Sequence, residues 1–79
     1  MNIFEAASKA FPNQQAIAMP EFPDVVIQDD AKSGFLVTVD ETGTAFVGWN
    51  PTAQQLTDGE WMVRERIEIK RRVYPLGRF

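Results

Sequence analysis

W-M-V-R-E-R-I-E-I-K-R-R-V-Y, residues 61–74, is the stretch on which the fold turns. Trp61, Val63, Ile67, Ile69 and Val73 fall on one parity, and Met62, Arg64, Arg66, Glu68, Lys70, Arg72 and Tyr74 on the other. Such period-two alternation suits a strand whose successive side chains point to opposite faces, and only Glu65 and Arg71 interrupt the apolar parity. A helix would scatter the same apolar residues around its circumference. The stretch therefore reads as one long C-terminal strand. It is longer than a small domain covers alone, and pairing with a partner chain would satisfy its free edge.

Immediately before it, G-W-N-P-T-A-Q-Q-L-T-D-G-E-W, residues 48–61, holds the only two tryptophans of the chain, Trp49 and Trp61. Pro51 ends the strand leading to Trp49, and Thr52 or Asn50 is placed to cap a single helical turn through Ala53, Gln54, Gln55 and Leu56. Asp58-Gly59 closes that turn. Further upstream, Phe35–Val39 and Thr44–Trp49 flank Glu41-Thr42-Gly43, a hairpin with glycine supplying a positive φ. Val25-Val26-Ile27 is a β-branched strand, and Gln15–Met19 reads as a shorter one. Pro20 and Pro23 bracket Phe22 in an irregular segment.

The N-terminus reads as a helix. Asn2 and Glu5 form a capping box; Ile3, Phe4, Ala7, Ala10 and Phe11 recur at helical spacing; Pro12-Asn13 ends the run. The order is thus one helix, strands, a helical turn and a long final strand. That pattern predicts an α+β fold, with the N-terminal helix packed on a mostly antiparallel sheet. The 79 residues are expected to form one small domain.

A chain of this size buries only about 60% of its unfolded surface, so self-association is the expected supplement to its core. Cysteine and histidine are both absent, which removes disulfides, thiolate nucleophiles, a Ser-His-Asp triad and the usual transition-metal ligands. No apolar run is long enough to span a membrane and no signal peptide is evident, so a soluble, cytoplasmic protein is expected. The net charge of −3 is unevenly spread: residues 1–63 carry two lysines against nine acids, and residues 64–79 six bases against two acids. This asymmetry marks either a polyanion site or an electrostatic subunit contact.

Catalysis finds little support. The acid pairs Asp29-Asp30 and Asp40-Glu41 lie in turn-rich contexts and read as solvated turn acids. The five glycines are isolated, so no phosphate loop is formed, and Asp29, Asp30 and Gly34 do not have calcium-loop spacing. The basic strand face of Arg64, Arg66, Lys70 and Arg72 suits phosphates, but Tyr74 is the only aromatic beside it. Nucleic-acid binding is accordingly the least favoured reading. The two tryptophans offer either core wedges or the walls of a pocket for a flat ligand.

The motif Trp49-x-Pro51-Thr52-x-x-Gln55-Leu56, with Glu60-Trp61 closing it, resembles the C-terminal signature of a small phage family, the second class of Thoeris anti-defence proteins. Met1-Asn2-Ile3-Phe4-Glu5-Ala6-Ala7 is similar to the family's opening, and the two matches cover about a third of the chain. The resemblance implies a homo-oligomer, commonly a tetramer. It would sequester a cyclic ADP-ribose-type immune signal, or a cyclic dinucleotide, without cleaving it. It also implies that Trp49, Pro51, Thr52, Gln55 and Trp61 lie near the pocket, with Phe4 close by. Phe22 would add a stacking ring, Asp58 would join Thr52 and Gln55 on the ribose, and Arg64 or Arg66 would meet the phosphates. The chain departs from the family where Ala18-Met19-Pro20-Glu21-Phe22 stands in place of a basic, tryptophan-bearing stretch. That departure leaves the identity of the ligand open. The alternative reading is an interaction protein acting through its strand edge and basic C-terminal face.

Overall fold

The computed structural model describes residues 1–74. Helix α1 (Ile3–Ala10) and a 3-10 turn (Phe11–Asn13) precede strands β1 (Ala16–Ala18), β2 (Val25–Asp29), β3 (Leu36–Asp40) and β4 (Thr44–Val47). Helix α2 (Ala53–Thr57) and strands β5 (Met62–Arg64) and β6 (Arg71–Val73) follow. The six strands form one sheet in the order β5-β1-β2-β3-β4-β6, antiparallel at every pairing but β4–β6. This is the α+β architecture expected from the sequence, with α1 on a mostly antiparallel sheet.

The local signals act as their chemistry dictates. Asn2 Oδ1 accepts from the Glu5 N–H at 2.8 Å and the Asn2 N–H donates to Glu5 Oε1 at 3.2 Å, completing a capping box. Gly43 turns the β3–β4 hairpin with φ +86°. Beside it, Asp40 Oδ1 accepts from the Thr42 hydroxyl at 2.6 Å and from the Thr42 and Thr44 N–H groups at 3.0 and 3.1 Å. The Thr42 hydroxyl, helped by those amides, holds the Asp40 carboxyl below its ordinary pKa. Asp40 therefore organises the turn and is not a merely solvated acid.

The C-terminal stretch departs from its sequence reading. It is not one long strand: β5 pairs with β1 on one outer edge, β6 pairs with β4 on the other, and residues 65–70 cross between them. Five strand spacings of about 4.8 Å separate β5 from β6, roughly 24 Å in all. The seven residue steps from Arg64 to Arg71, at about 3.4 Å each, supply the same length only if the chain is extended. The crossing segment thus keeps period-two alternation without a strand partner, which explains why periodicity alone misread it.

The crossing segment also closes the core. Alternation sends Ala16, Ala18, Val26, Val37, Val39, Ala45 and Val47 to one sheet face, where Ile67 and Ile69 pack over them. Gln28, 2% exposed, lies on the same face and holds the crossing backbone. Its Nε2 donates to the Ile67 carbonyl and its Oε1 accepts from the Ile67 N–H, each at 3.0 Å. The other face carries Ile17, Met19 and Ile27 against Ala6 and Ala10 of α1, with Trp61 buried among them.

The charge asymmetry finds an internal explanation as well. Arg72 donates from Nε and Nη2 to the two carboxylate oxygens of Asp30, at 3.2 and 3.1 Å. Arg66 pairs with Asp29 through its side-chain and backbone oxygens, and Arg64 donates to the Pro23 carbonyl. Basic residues of the C-terminal stretch thereby dock onto the acidic body of the same chain. Asp30 is buried, contrary to its reading as a solvated turn acid. The hydrogen bonds from Arg72 hold its carboxyl well below the usual range, against the opposing effect of burial. No helix among the described residues is long and apolar enough to cross a membrane.

Candidate functional site

The α1 face of the sheet is only partly covered. Beyond the Trp61 core, a cavity of about 380 Å³ opens beside β2 and β3. Its floor is built from Val25, Ile27 and Thr38, which alternation directs to this face. Ala18, Met19 and Phe22 border it from β1 and the β1–β2 loop; Trp49, Asn50, Thr52, Gln55 and Trp61 border it from the tryptophan segment. The volume lies in the lower part of the ~300–1,000 Å³ range of small-molecule sites, which are mostly apolar with a few directing polar groups.

The two tryptophans do different work. Trp61 is 2% exposed, and its indole N–H donates to the Gln55 carbonyl at 2.8 Å, securing the C-terminal end of α2. Its backbone N–H donates to the Met1 carbonyl at 2.8 Å, tying the segment to the N-terminus. Trp49 is half-buried and meets Trp61 edge-on, with ring centroids 6.0 Å apart and planes at 79°. Trp61 is therefore a core wedge that forms the back of the cavity. Trp49 remains accessible beside it.

Helix α2 sets the polar groups. Its N-cap is Thr52: the Thr52 Oγ1 accepts from the Gln55 N–H at 3.1 Å, and the Thr52 N–H donates to Gln55 Oε1 at 2.8 Å. One of the two caps the sequence allowed is thus selected, and Asn50 is left outside the helix. Because Gln55 Oε1 serves the cap, the group it has to offer a ligand is its Nε2 amide, a donor. Thr52 similarly retains its hydroxyl proton.

Of the ten residues singled out from the sequence, five line this cavity: Phe22, Trp49, Thr52, Gln55 and Trp61. The other five do not. Phe4 is 78% exposed on the outer side of α1, because Ala6 and Ala10 are the residues α1 turns inward. Pro51 is not in the lining of this cavity and precedes the N-cap of α2. Asp58 faces a separate hollow of about 200 Å³ with Glu21, Gln54 and Glu60, and its Oδ1 accepts from the Glu60 N–H at 2.7 Å. Arg64 and Arg66 are drawn to Pro23 and Asp29 by the crossing of the chain.

Six lining residues were not foreseen: Ala18, Met19, Val25, Ile27, Thr38 and Asn50. Asn50 stood inside the quoted motif and offered a carboxamide, so it was findable. Val25, Ile27 and Thr38 were legible only as one parity of β2 and β3, whereas Ala18 belongs to the opposite parity and Met19 follows the end of β1. Where α1 stops covering that parity depends on packing. Among the described residues, no group of three or more His, Cys, Asp or Glu is placed to hold a metal ion.

Opposite this face, a shallower hollow of about 400 Å³ lies beside the crossing segment and includes Gln28, Asp30, Lys32, Arg66 and Arg72. Its polar groups are largely those that bind the crossing segment to the sheet.

The chain matches no protein-family model, no curated protein and no solved structure.

Proposed function

We propose that this protein is a non-catalytic binding module that sequesters a small nucleotide signal in the cavity beside Trp49. The observation that carries the reading is the cavity itself: Trp49, Asn50, Thr52 and Gln55 of the tryptophan segment border it together with Phe22. Aromatic faces give large, rigid stacking area, and the neighbouring hydroxyl and amides give orientation. The lining carries no ionisable side chain to act as a general acid or base or to activate the Thr38 and Thr52 hydroxyls, which supports a binding role.

The resemblance to the Thoeris anti-defence family supplies the candidate ligand, a cyclic nucleotide of the cyclic ADP-ribose type or a cyclic dinucleotide. On this reading the protein is phage-type, acts in the host cytoplasm, binds stoichiometrically and self-associates. Exposed Phe46 and Val73, paired across β4 and β6 at the sheet edge, support self-association. Light scattering on the eluting protein would show a multiple of 8.9 kDa. A clean monomer would remove the oligomer from the proposal.

The binding reading is tested by heat-denaturing the purified protein and analysing the supernatant by mass spectrometry. Tryptophan fluorescence is then titrated with cyclic ADP-ribose isomers and cyclic dinucleotides. An empty supernatant together with unchanged fluorescence would sink it.

A second reading, interaction with another protein, is favoured by the same edge: β6 is an outer strand among the described residues, and its exposed Val73 and Arg71 lie beside exposed Phe46 of the neighbouring β4. A fluorescence response to nucleotides that survives Phe46→Ser and Val73→Ser would separate the cavity from this edge.

A further inference from the structure

We infer that the cavity takes an uncharged planar heterocycle bearing hydrogen-bond acceptors, a nucleobase or nucleoside, and that any phosphate joined to it stays outside. The inference rests on the binding reading above and specifies which part of a ligand the site recognises.

Charge carries the first half of the argument. None of the eleven lining residues is Asp, Glu, Lys or Arg. A phosphate drawn into such a lining would lose its hydration without gaining a cationic partner, which is costly. The two arginines nearest in sequence are engaged elsewhere, Arg64 with the Pro23 carbonyl and Arg66 with Asp29. The adjoining hollow, which shares Met19 with the cavity, carries Glu21, Asp58 and Glu60. The local field there opposes an anion. A neutral ring meets neither penalty, and it gains the faces of Trp49 and Phe22.

Hydrogen bonding carries the second half. The capping box commits Gln55 Oε1 to the Thr52 N–H and Thr52 Oγ1 to the Gln55 N–H. Gln55 Nε2 and the Thr52 hydroxyl proton have no partner among the described residues, so the α2 side of the cavity presents donors. Their complements are acceptors such as the ring nitrogens and carbonyls of a base. The Asn50 carboxamide, at the mouth, supplies a donor and an acceptor together.

Calorimetric titration of the full chain with adenosine, AMP and cyclic ADP-ribose, at low and high salt, tests this. The inference expects adenosine and AMP to bind within about threefold of each other, with little dependence on salt, because no phosphate contact contributes. AMP or cyclic ADP-ribose binding ten times or more tighter than adenosine, with an affinity that falls steeply as salt rises, would overturn it while leaving the binding function standing. Heat from none of the three, with no fluorescence response to cyclic dinucleotides, would overturn the binding function and this inference with it.

Gln55→Glu is the informative variant. Glutamate keeps the capping acceptor at this position of α2 while removing the Nε2 donors. The expected result is an unchanged melting temperature and adenosine affinity reduced by about tenfold or more. Undiminished adenosine binding by a folded Gln55→Glu protein would also overturn the inference.

Discussion

The Gln28 side chain grips the Ile67 backbone as a neighbouring strand would, accepting from its N–H and donating to its carbonyl, both at 3.0 Å. This one carboxamide replaces a rung of sheet pairing where the crossing segment passes over β2. Buried polar groups that lose their partners cost about 1–3 kcal/mol each.

Gln28→Ala would strip both partners from Ile67 and open a void beneath it. The expected loss is about 2–4 kcal/mol, the lower part of the summed range for two unpaired groups because both are only part-buried. Urea unfolding followed by circular dichroism measures it. Hydrogen exchange should show the Ile67 amide exposed first. A loss below about 0.5 kcal/mol, the level of an ordinary surface substitution, would mean that the crossing segment is held by Ile67 and Ile69 alone.

The Asp30–Arg72 pair makes stability depend on pH in a defined direction. Arg72 depresses the folded-state pKa of Asp30, so its contribution is fully present above the ordinary aspartate value of about 4. It is lost as pH falls through the folded value. Acid titration of the native protein should therefore show stability declining below about pH 4, with a smaller decline in Asp30→Asn. At neutral pH, Arg72→Ala should lower the urea midpoint more than Asp30→Asn, because it strands a buried carboxylate. The reverse order would contradict the pairing.

Gly43 and Gly34 share a left-handed backbone, with φ of +86° and +79°, yet they differ in surroundings. A Cβ at Gly43 would stand 2.9 Å from the Glu68 carbonyl oxygen, whereas one at Gly34 would meet nothing within 4 Å. Gly34→Ala should cost about 1–2 kcal/mol from conformation alone. Gly43→Ala should cost more, because its methyl group also pushes the crossing segment away from the hairpin. Gly43 accepts from the Lys70 and Arg71 N–H groups at 2.8 and 3.2 Å, so the entry to β6 should loosen with it. Thermal melts of the two variants decide the order.

Trp49 and Trp61 should separate in both stability and fluorescence. Trp61→Ala removes a fully buried wedge and should cost about 3–5 kcal/mol, enough to unfold much of a domain this small. Trp61→Phe keeps most of the volume but loses the bond to the Gln55 carbonyl, an expected cost of about 1–2 kcal/mol. Trp49→Phe should be milder and should remove the ligand-sensitive part of the emission. With Trp49 gone, the remaining spectrum should be blue-shifted and resistant to acrylamide.

Much of this architecture was readable from local chemistry. The capping boxes of Asn2-Glu5 and Thr52-Gln55, the Gly43 hairpin and the parity of β2, β3 and β4 depend on residues close in sequence, so their physics is local. Half of the candidate site was legible for the same reason, because Trp49, Thr52, Gln55 and Trp61 lie in one short segment and Phe22 sits in a proline-bracketed loop. Phe4, Arg64 and Arg66 lie outside the cavity lining, a placement local pattern could not give because it depends on neighbours distant in sequence. Phe4 depends on which face of α1 is buried, and the arginines on where the crossing segment lands.

By itself the sequence determined which segments are helical or extended and which residues share a face, since both follow from side-chain period and capping chemistry. Residues 61–74 are extended on either reading, and their alternation is real. Only the tertiary structure decided that they divide between the two sheet edges, joined by a segment packed across the opposite face. An extended chain has the same period beside a strand or across a sheet. The distinction comes from long-range partners, Gln28 for Ile67 and Asp30 for Arg72, which no local pattern encodes.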